Sequence, residues 1–124
     1  MGRDCTRDPI LSEESEPPDS ASLLDRRWVV DPLDGTRVFI DGIDEFAVMV
    51  GLAEEGLASL GAFCVPGSGH LYVGVTEGGA WIAECEVNSR PGSPIRVGEF
   101  RPLSVGKADK ERLRLVRSRS HPDD

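Results

Sequence analysis

Apolar and polar positions change rhythm several times along this chain. Residues 1–25 are polar, and "ESEPPDSAS" reads as a surface loop. Within that segment "PILSEES" is a short apolar entry followed by two acids. The run "RWVVD" at 27–31 predicts a short buried strand. "TRVFIDG", from Thr36 to Gly42, predicts one or two helical turns stopped by the glycine. From Glu45 onward the chain reads as a meander, with apolar strands divided by glycine-containing turns at "EEG", "PGSG" and "EGG". Residues 88–109 predict an irregular Pro/Gly/Arg-rich connection, and "LRLVRSRS" at 113–120 a last strand with alternating arginines. The pattern therefore predicts an α+β chain, mainly an antiparallel β-sheet with one or two short helices. A sheet that stands alone has to close or cover its edges. Few helices are available to cover this one, so residues 1–124 are expected to be a single partial domain.

Composition narrows the class. A chain of 124 residues holds one domain and not comfortably two. No apolar run approaches the roughly 20 residues of a membrane helix. The opening "MGRDCTRDPILSEESEPP" has no apolar signal core, which predicts a cytoplasmic protein. Three cysteines (Cys5, Cys64, Cys85) form no CxxC pair, which predicts free thiols in a reducing compartment.

Charge is uneven. The net value is −8, and residues 1–60 hold 14 acids and 5 bases whereas residues 61–124 hold 8 and 9. Nucleic-acid binding needs a basic footprint, which this balance excludes. The acidic half calls either for plain solvation or for cations.

The chemistry concentrates in "WVVDPLDGTRVFIDG", Trp28 to Gly42. Pro32 fixes its own φ, removes a donor and holds Asp31 extended. Asp34 lies within about 10 Å of Asp31 even if the link is fully extended, so both carboxylates can face one cation. Hard oxygen ligands on a rigid turn suit Mg²⁺. Gly35 and Thr36 begin the predicted helix and leave N–H groups that favour an anion. A cation site beside an anion site is what metal-assisted phosphoryl transfer requires. The plainer reading is a hairpin, since "DG" between apolar runs is a common turn. Glu13-Glu14-Ser15 is by itself a polar loop or a helix start. Together with "DPLDGT" it would complete a three-sided acidic cradle for two metal ions and a phosphate.

Those stretches, together with "GAFCVPGSGHLYVGVTEGGAW", resemble the inositol monophosphatase superfamily of Mg²⁺-dependent, lithium-sensitive phosphatases, over roughly residues 9–121. "PILSEES" and "LVRSRSH" are most similar to its bacterial 3′(2′),5′-bisphosphate nucleotidases, which remove the 3′-phosphate of 3′-phosphoadenosine 5′-phosphate. The resemblance implies two or more Mg²⁺ ions, with Li⁺ as inhibitor, and a small phosphorylated substrate, a nucleotide bisphosphate or an inositol phosphate. It implies metal ligands at Glu13, Asp31, the Leu33 carbonyl and Asp34. It implies a phosphate-binding helix start at Asp34, Gly35 and Thr36. The Thr36 hydroxyl would orient the attacking water and Glu14 would stand behind the ligands. Arg117 and Arg119 are candidate contacts to a doubly phosphorylated substrate, for which Arg forks are suited; the plainer reading of these arginines, with Arg112 and Arg114, is a solvated strand face.

The chain also departs from the family, whose fold is an α-β-α-β-α sandwich of about twice this length. Only twelve residues precede Glu13, and neither Asp4 nor Asp8 matches the family's further upstream aspartate. The family's "WD.AAG"-type motif is not present. These departures predict a fragment with weak activity of its own, or a non-catalytic remnant. An uncovered sheet face predicts association, and a homodimer is among the partners expected, with neither nucleic acid nor membrane.

Overall fold

The structure, a computed structural model, describes residues 8–14, 26–86, 90 and 92–116, with Arg37 and Val38 described in backbone only. Cys5, Ser15, Arg117, Arg119 and His121 lie outside the described residues.

Among the described residues, eight strands and one helix follow each other as β1 (Ile10–Ser12), β2 (Arg27–Asp34), α1 (Thr36–Ile40), β3 (Ala47–Glu54), β4 (Leu57–Val65), β5 (His70–Val75), β6 (Gly79–Glu86), β7 (Arg96–Val97) and β8 (Arg101–Leu103). β2 to β6 form an antiparallel run in chain order. The predicted turns do the joining. Glu55 and Gly56 both take positive φ, 52° and 80°, the geometry of a two-residue type I′ turn between Glu54 and Leu57. Pro66–Gly69 and Thr76–Gly78 join the next two pairs.

Three details correct the expectations from sequence. The sheet is mixed, because β1 pairs β2 in parallel, Ile10 with Trp28 and Ser12 with Val30. That pairing joins segments far apart in sequence, where no turn signal announces it. The connection expected to be irregular over 88–109 contains β7 and β8, both lying on the outer edge of β6. Between Val97 and Arg101 this edge advances four residues against three on β6, so the strand is broken into two pieces too short to carry an alternation. Finally, Leu113–Val116, the described half of the expected last strand, is in no strand. Leu113, Leu115 and Val116 are at least 82% exposed there.

Register assigns the two faces, since residues directly opposite on paired strands share a face. One face carries Val30, Val50, Ala62, Val73 and Trp81 in one transverse row. A second row on that face runs Trp28, Leu52, Leu60 and Val75. Among the described residues, the buried apolar side chains Leu52, Ala83 and Cys85 are all on this face. The other face carries Asp31, Met49, Phe63, Tyr72, Ile82 and Arg101 in a row. Phe63 and Tyr72 stack there with centroids 4.6 Å apart. Met49 and Phe63 are still 40% and 38% exposed. The core is thus one-sided and thin. α1 is the only helix among the described residues, so the sheet of the expected sandwich is seen and its helical layers are not.

Candidate functional site

The site is built where β2 ends. Asp31 lies opposite Met49 and Asp34 opposite Ala47, a step of three residues on β2 against two on β3. One residue is therefore extra, and the strand bulges. In a regular strand residues three apart point to opposite faces. Met49 and Ala47 share a face, so the bulge returns Asp34 to the face of Asp31. Pro32, which has no N–H to give the ladder, sits inside the bulge. The strand consequently does not stop at Asp31, as expected, but continues to Asp34.

Leu33 is gripped from both sides. Its N–H donates to Asp31 Oδ1 at 3.1 Å, an Asx turn across Pro32. Its carbonyl accepts the Thr36 hydroxyl at 3.1 Å. Gly35 follows at φ +82°, and a Cβ there would stand 3.3 Å from the Glu45 carbonyl. Only glycine satisfies both the turn and the close approach. Thr36 opens α1, and Phe39 N–H bonds the Gly35 carbonyl at 3.0 Å. Phe39 packs edge-on against Phe46, centroids 5.0 Å apart, which seats the helix against the chain entering β3. "DG" here is thus a strand-to-helix turn and not a hairpin.

The parallel pairing of β1 with β2 sets the position of the other acids. Both strands run toward the same end of the sheet, so Glu13 and Glu14 follow β1 at the end where Asp31 and Asp34 lie. Glu13 and Glu14 are exposed there, and Glu14 accepts a hydrogen bond from the Ser12 hydroxyl. Asp8 sits at the far end of β1 and pairs with Arg26 at 2.9 Å, away from the site.

Not all the expected residues converge. Among the described residues no three acidic, His or Cys side chains lie close enough together to hold a metal ion. Glu13 therefore does not close with Asp31 and Asp34 into a three-carboxylate cradle in this structure. The donors at this strand end, two carboxylates on one face and the Leu33 carbonyl, are hard oxygens, the ligand type a divalent cation such as Mg²⁺ takes. Arg112 and Arg114 are exposed and, with Lys107, line a cleft that shares no residue with the one beside Asp34.

Beside Asp34 opens a cleft of about 590 Å³. Sequence reasoning had not singled out Asp44, Gly67 or Ser68, which line it. They come from two loops, 43–46 and 66–69, pressed together: a Cβ on Gly67 would fall 2.6 Å from the Asp44 carbonyl oxygen. The one signal for this contact is the run of small residues in "PGSG". The cleft lining includes Asp34, Asp44 and Glu45 and no Lys or Arg.

The strand end thus carries paired aspartates on one face of a bulge, followed by a glycine turn into a short helix. The chain belongs to the inositol monophosphatase family, whose model matches residues 2–121. It is 39% identical over 117 residues to the 3′(2′),5′-bisphosphate nucleotidase CysQ of Salmonella typhimurium, covering 94% of this chain and 42% of that protein. It is 36% identical over 99 residues to the histidinol-phosphatase of Chlorobaculum parvum, covering 80% of this chain and 36% of that one. Among solved structures, CysQ from Bacteroides thetaiotaomicron superposes with a TM-score of 0.62 at 30% identity, over 82% of this chain and 40% of that one. The chain thus spans about two fifths of the length of these relatives.

Proposed function

We propose that this chain carries the cation- and phosphate-binding part of a Mg²⁺-dependent, lithium-sensitive phosphomonoesterase, with 3′-phosphoadenosine 5′-phosphate as preferred substrate. The observation that carries the reading is the bulge that sets Asp31 and Asp34 on one face beside an acidic cleft. Asp31, Asp34 and the Leu33 carbonyl would hold the metal, with Glu13 approaching from the end of β1. Bound there, Mg²⁺ supplies a lowered pKa for an attacking water and neutralises phosphate charge. The chain's own residues position the ester. Gly35 lets the backbone turn closely at the strand end, and Thr36 begins the helix there. Asp44 and Glu45 line the cleft beside Asp34. The substrate choice rests on the likeness to the CysQ nucleotidases, at 38% to 39% identity. A cytoplasmic location and a homodimer belong to the same proposal.

A second reading is that the chain binds metal without efficient turnover. What favours it is that, among the described residues, no three acidic, His or Cys side chains lie close enough together to hold one metal ion. Phosphate release is therefore expected to be slow beside that of a full-length relative.

The test is a panel of 3′-phosphoadenosine 5′-phosphate, inositol monophosphate and histidinol phosphate, offered with Mg²⁺ to the folded chain. The nucleotide is expected to have the highest kcat/KM, with release suppressed by Li⁺. Preference for either of the others overturns the substrate. No release from any of them leaves the non-catalytic reading.

A further inference from the structure

On the face of the sheet opposite Asp31 and Asp34, two thiols meet. Cys64 on β4 and Cys85 on β6 bring their sulfurs to 3.4 Å, with β5 between their strands. Register explains the approach. Cys64 lies opposite Leu71, Leu71 opposite Ala83, and Cys85 follows two residues on, so all share one face. The β4–β5 turn ties the end of β6 down, because Cys85 N–H donates to the Gly69 carbonyl at 2.8 Å. A Cβ on Gly69 would stand 3.2 Å from the Cys85 carbonyl oxygen, so glycine lets the turn lie close against the end of β6. Cys85 also forms part of the wall of a cleft of about 540 Å³, together with Ser68, His70 and Arg96. Cys85 itself is only 7% exposed, so a small reagent reaches its sulfur from this cleft only as the edge of β6 opens.

We propose that Cys64 and Cys85 are a redox-active dithiol that a low-molecular-weight disulfide converts to an intrachain disulfide, stapling β4 to β6 across β5. The Cys85 sulfur, as thiolate, attacks one sulfur of the reagent. The reagent's S–S bond breaks and its first half leaves as a thiolate, which takes up a proton. Cys64 then loses its proton and attacks the Cys85 sulfur of the mixed disulfide, expelling the second half. Two protein thiols are oxidised, one external disulfide is reduced to two thiols, and no other electron donor or acceptor enters. The sulfurs must close from 3.4 Å to a bond of about 2.05 Å, and because β5 lies between the two strands their backbones must draw together as well. Burial, and then the neighbouring Cys85 thiol, push the Cys64 thiol up to about 11. Closure is accordingly slow at neutral pH and accelerates as hydroxide rises. This pair is a slow staple and not a fast sensor.

The test is to incubate the full chain with oxidised glutathione, folded and in urea, then block the remaining thiols and map the peptides. In the folded chain the expected product is a 64–85 crosslink, removed by dithiothreitol and formed at least about tenfold faster at pH 9 than at pH 7. Cys64→Ser should instead accumulate glutathione on Cys85. Cysteines that stay free in the folded chain, or crosslinks spread among Cys5, Cys64 and Cys85 as in urea, would overturn the proposal.

Discussion

Asp31 and Asp34 lie on the same face of the sheet although three positions separate them. Opposite them, Met49 and Ala47 are only two positions apart. The surplus residue of the bulge converts a spacing that would split the carboxylates into one that gathers them. A hard cation needs several oxygens converging on one point, and this local irregularity brings two of them to one face.

The proposed function makes cation binding depend on that pair. Asp31→Asn keeps an Oδ1 to accept the Leu33 N–H and loses only charge, and Asp34→Asn removes charge from an exposed position. Each change should weaken Mg²⁺ binding at least tenfold, about 1.4 kcal/mol. Folding stability should move by no more than about 0.5 kcal/mol. Calorimetric titration of Mg²⁺ into the folded variants reads the first quantity, and urea unfolding the second.

Gly35 and Gly42 separate strain from crowding. Both have positive φ, 82° and 72°, but only at Gly35 does an added Cβ meet a neighbour, the Glu45 carbonyl at 3.3 Å. Gly42→Ala should cost about 1–2 kcal/mol from the left-handed backbone alone. Gly35→Ala should cost more and should also weaken Mg²⁺ binding, because the turn after Asp34 has to shift. Equal costs in urea unfolding would show that the Glu45 contact carries no weight.

The edge-on pair Phe39–Phe46 fastens α1 to the entry of β3. A double-mutant cycle with Phe39→Leu and Phe46→Leu should return a coupling of about 0.5–1.5 kcal/mol. A coupling near zero would mean that the helix is seated by its backbone alone.

Alkaline stability should depend on Cys64. Its thiol is raised from an ordinary 9.0 to about 11 in the fold, so the native state holds this proton more tightly than the unfolded chain. The stability it contributes is complete below about pH 9 and is lost as pH rises through about 11. Unfolding under reducing conditions should show this decline in the wild-type chain and a flatter profile in Cys64→Ala.

What the sequence disclosed and what it hid divide along physical lines. The β3–β6 meander was legible because each turn is local and marked, as Glu55-Gly56 shows. The parallel strand β1 was hidden because three residues carry no period and their partner is far along the chain. β7 and β8 were hidden because a two-residue and a three-residue pairing show no alternation. At the site, Pro32 was legible as a break in hydrogen bonding but read as the end of a strand, whereas the chain bulges and resumes pairing at Asp34. The family resemblance was carried by "DPLDGT" and its neighbours, and the family match bears it out. The loop contact that puts Asp44 against Gly67 joins distant segments and left almost no trace in the sequence.

Phosphate release from 3′-phosphoadenosine 5′-phosphate by the folded 124-residue chain, measured against Mg²⁺ concentration beside Asp34→Asn, tests the central claim most directly. Slow release that requires Mg²⁺, falls with Li⁺ and disappears in Asp34→Asn is the result predicted. Release that persists in excess chelator, or that Asp34→Asn leaves unchanged, would contradict the assignment of the bulged strand end as the site of the chemistry.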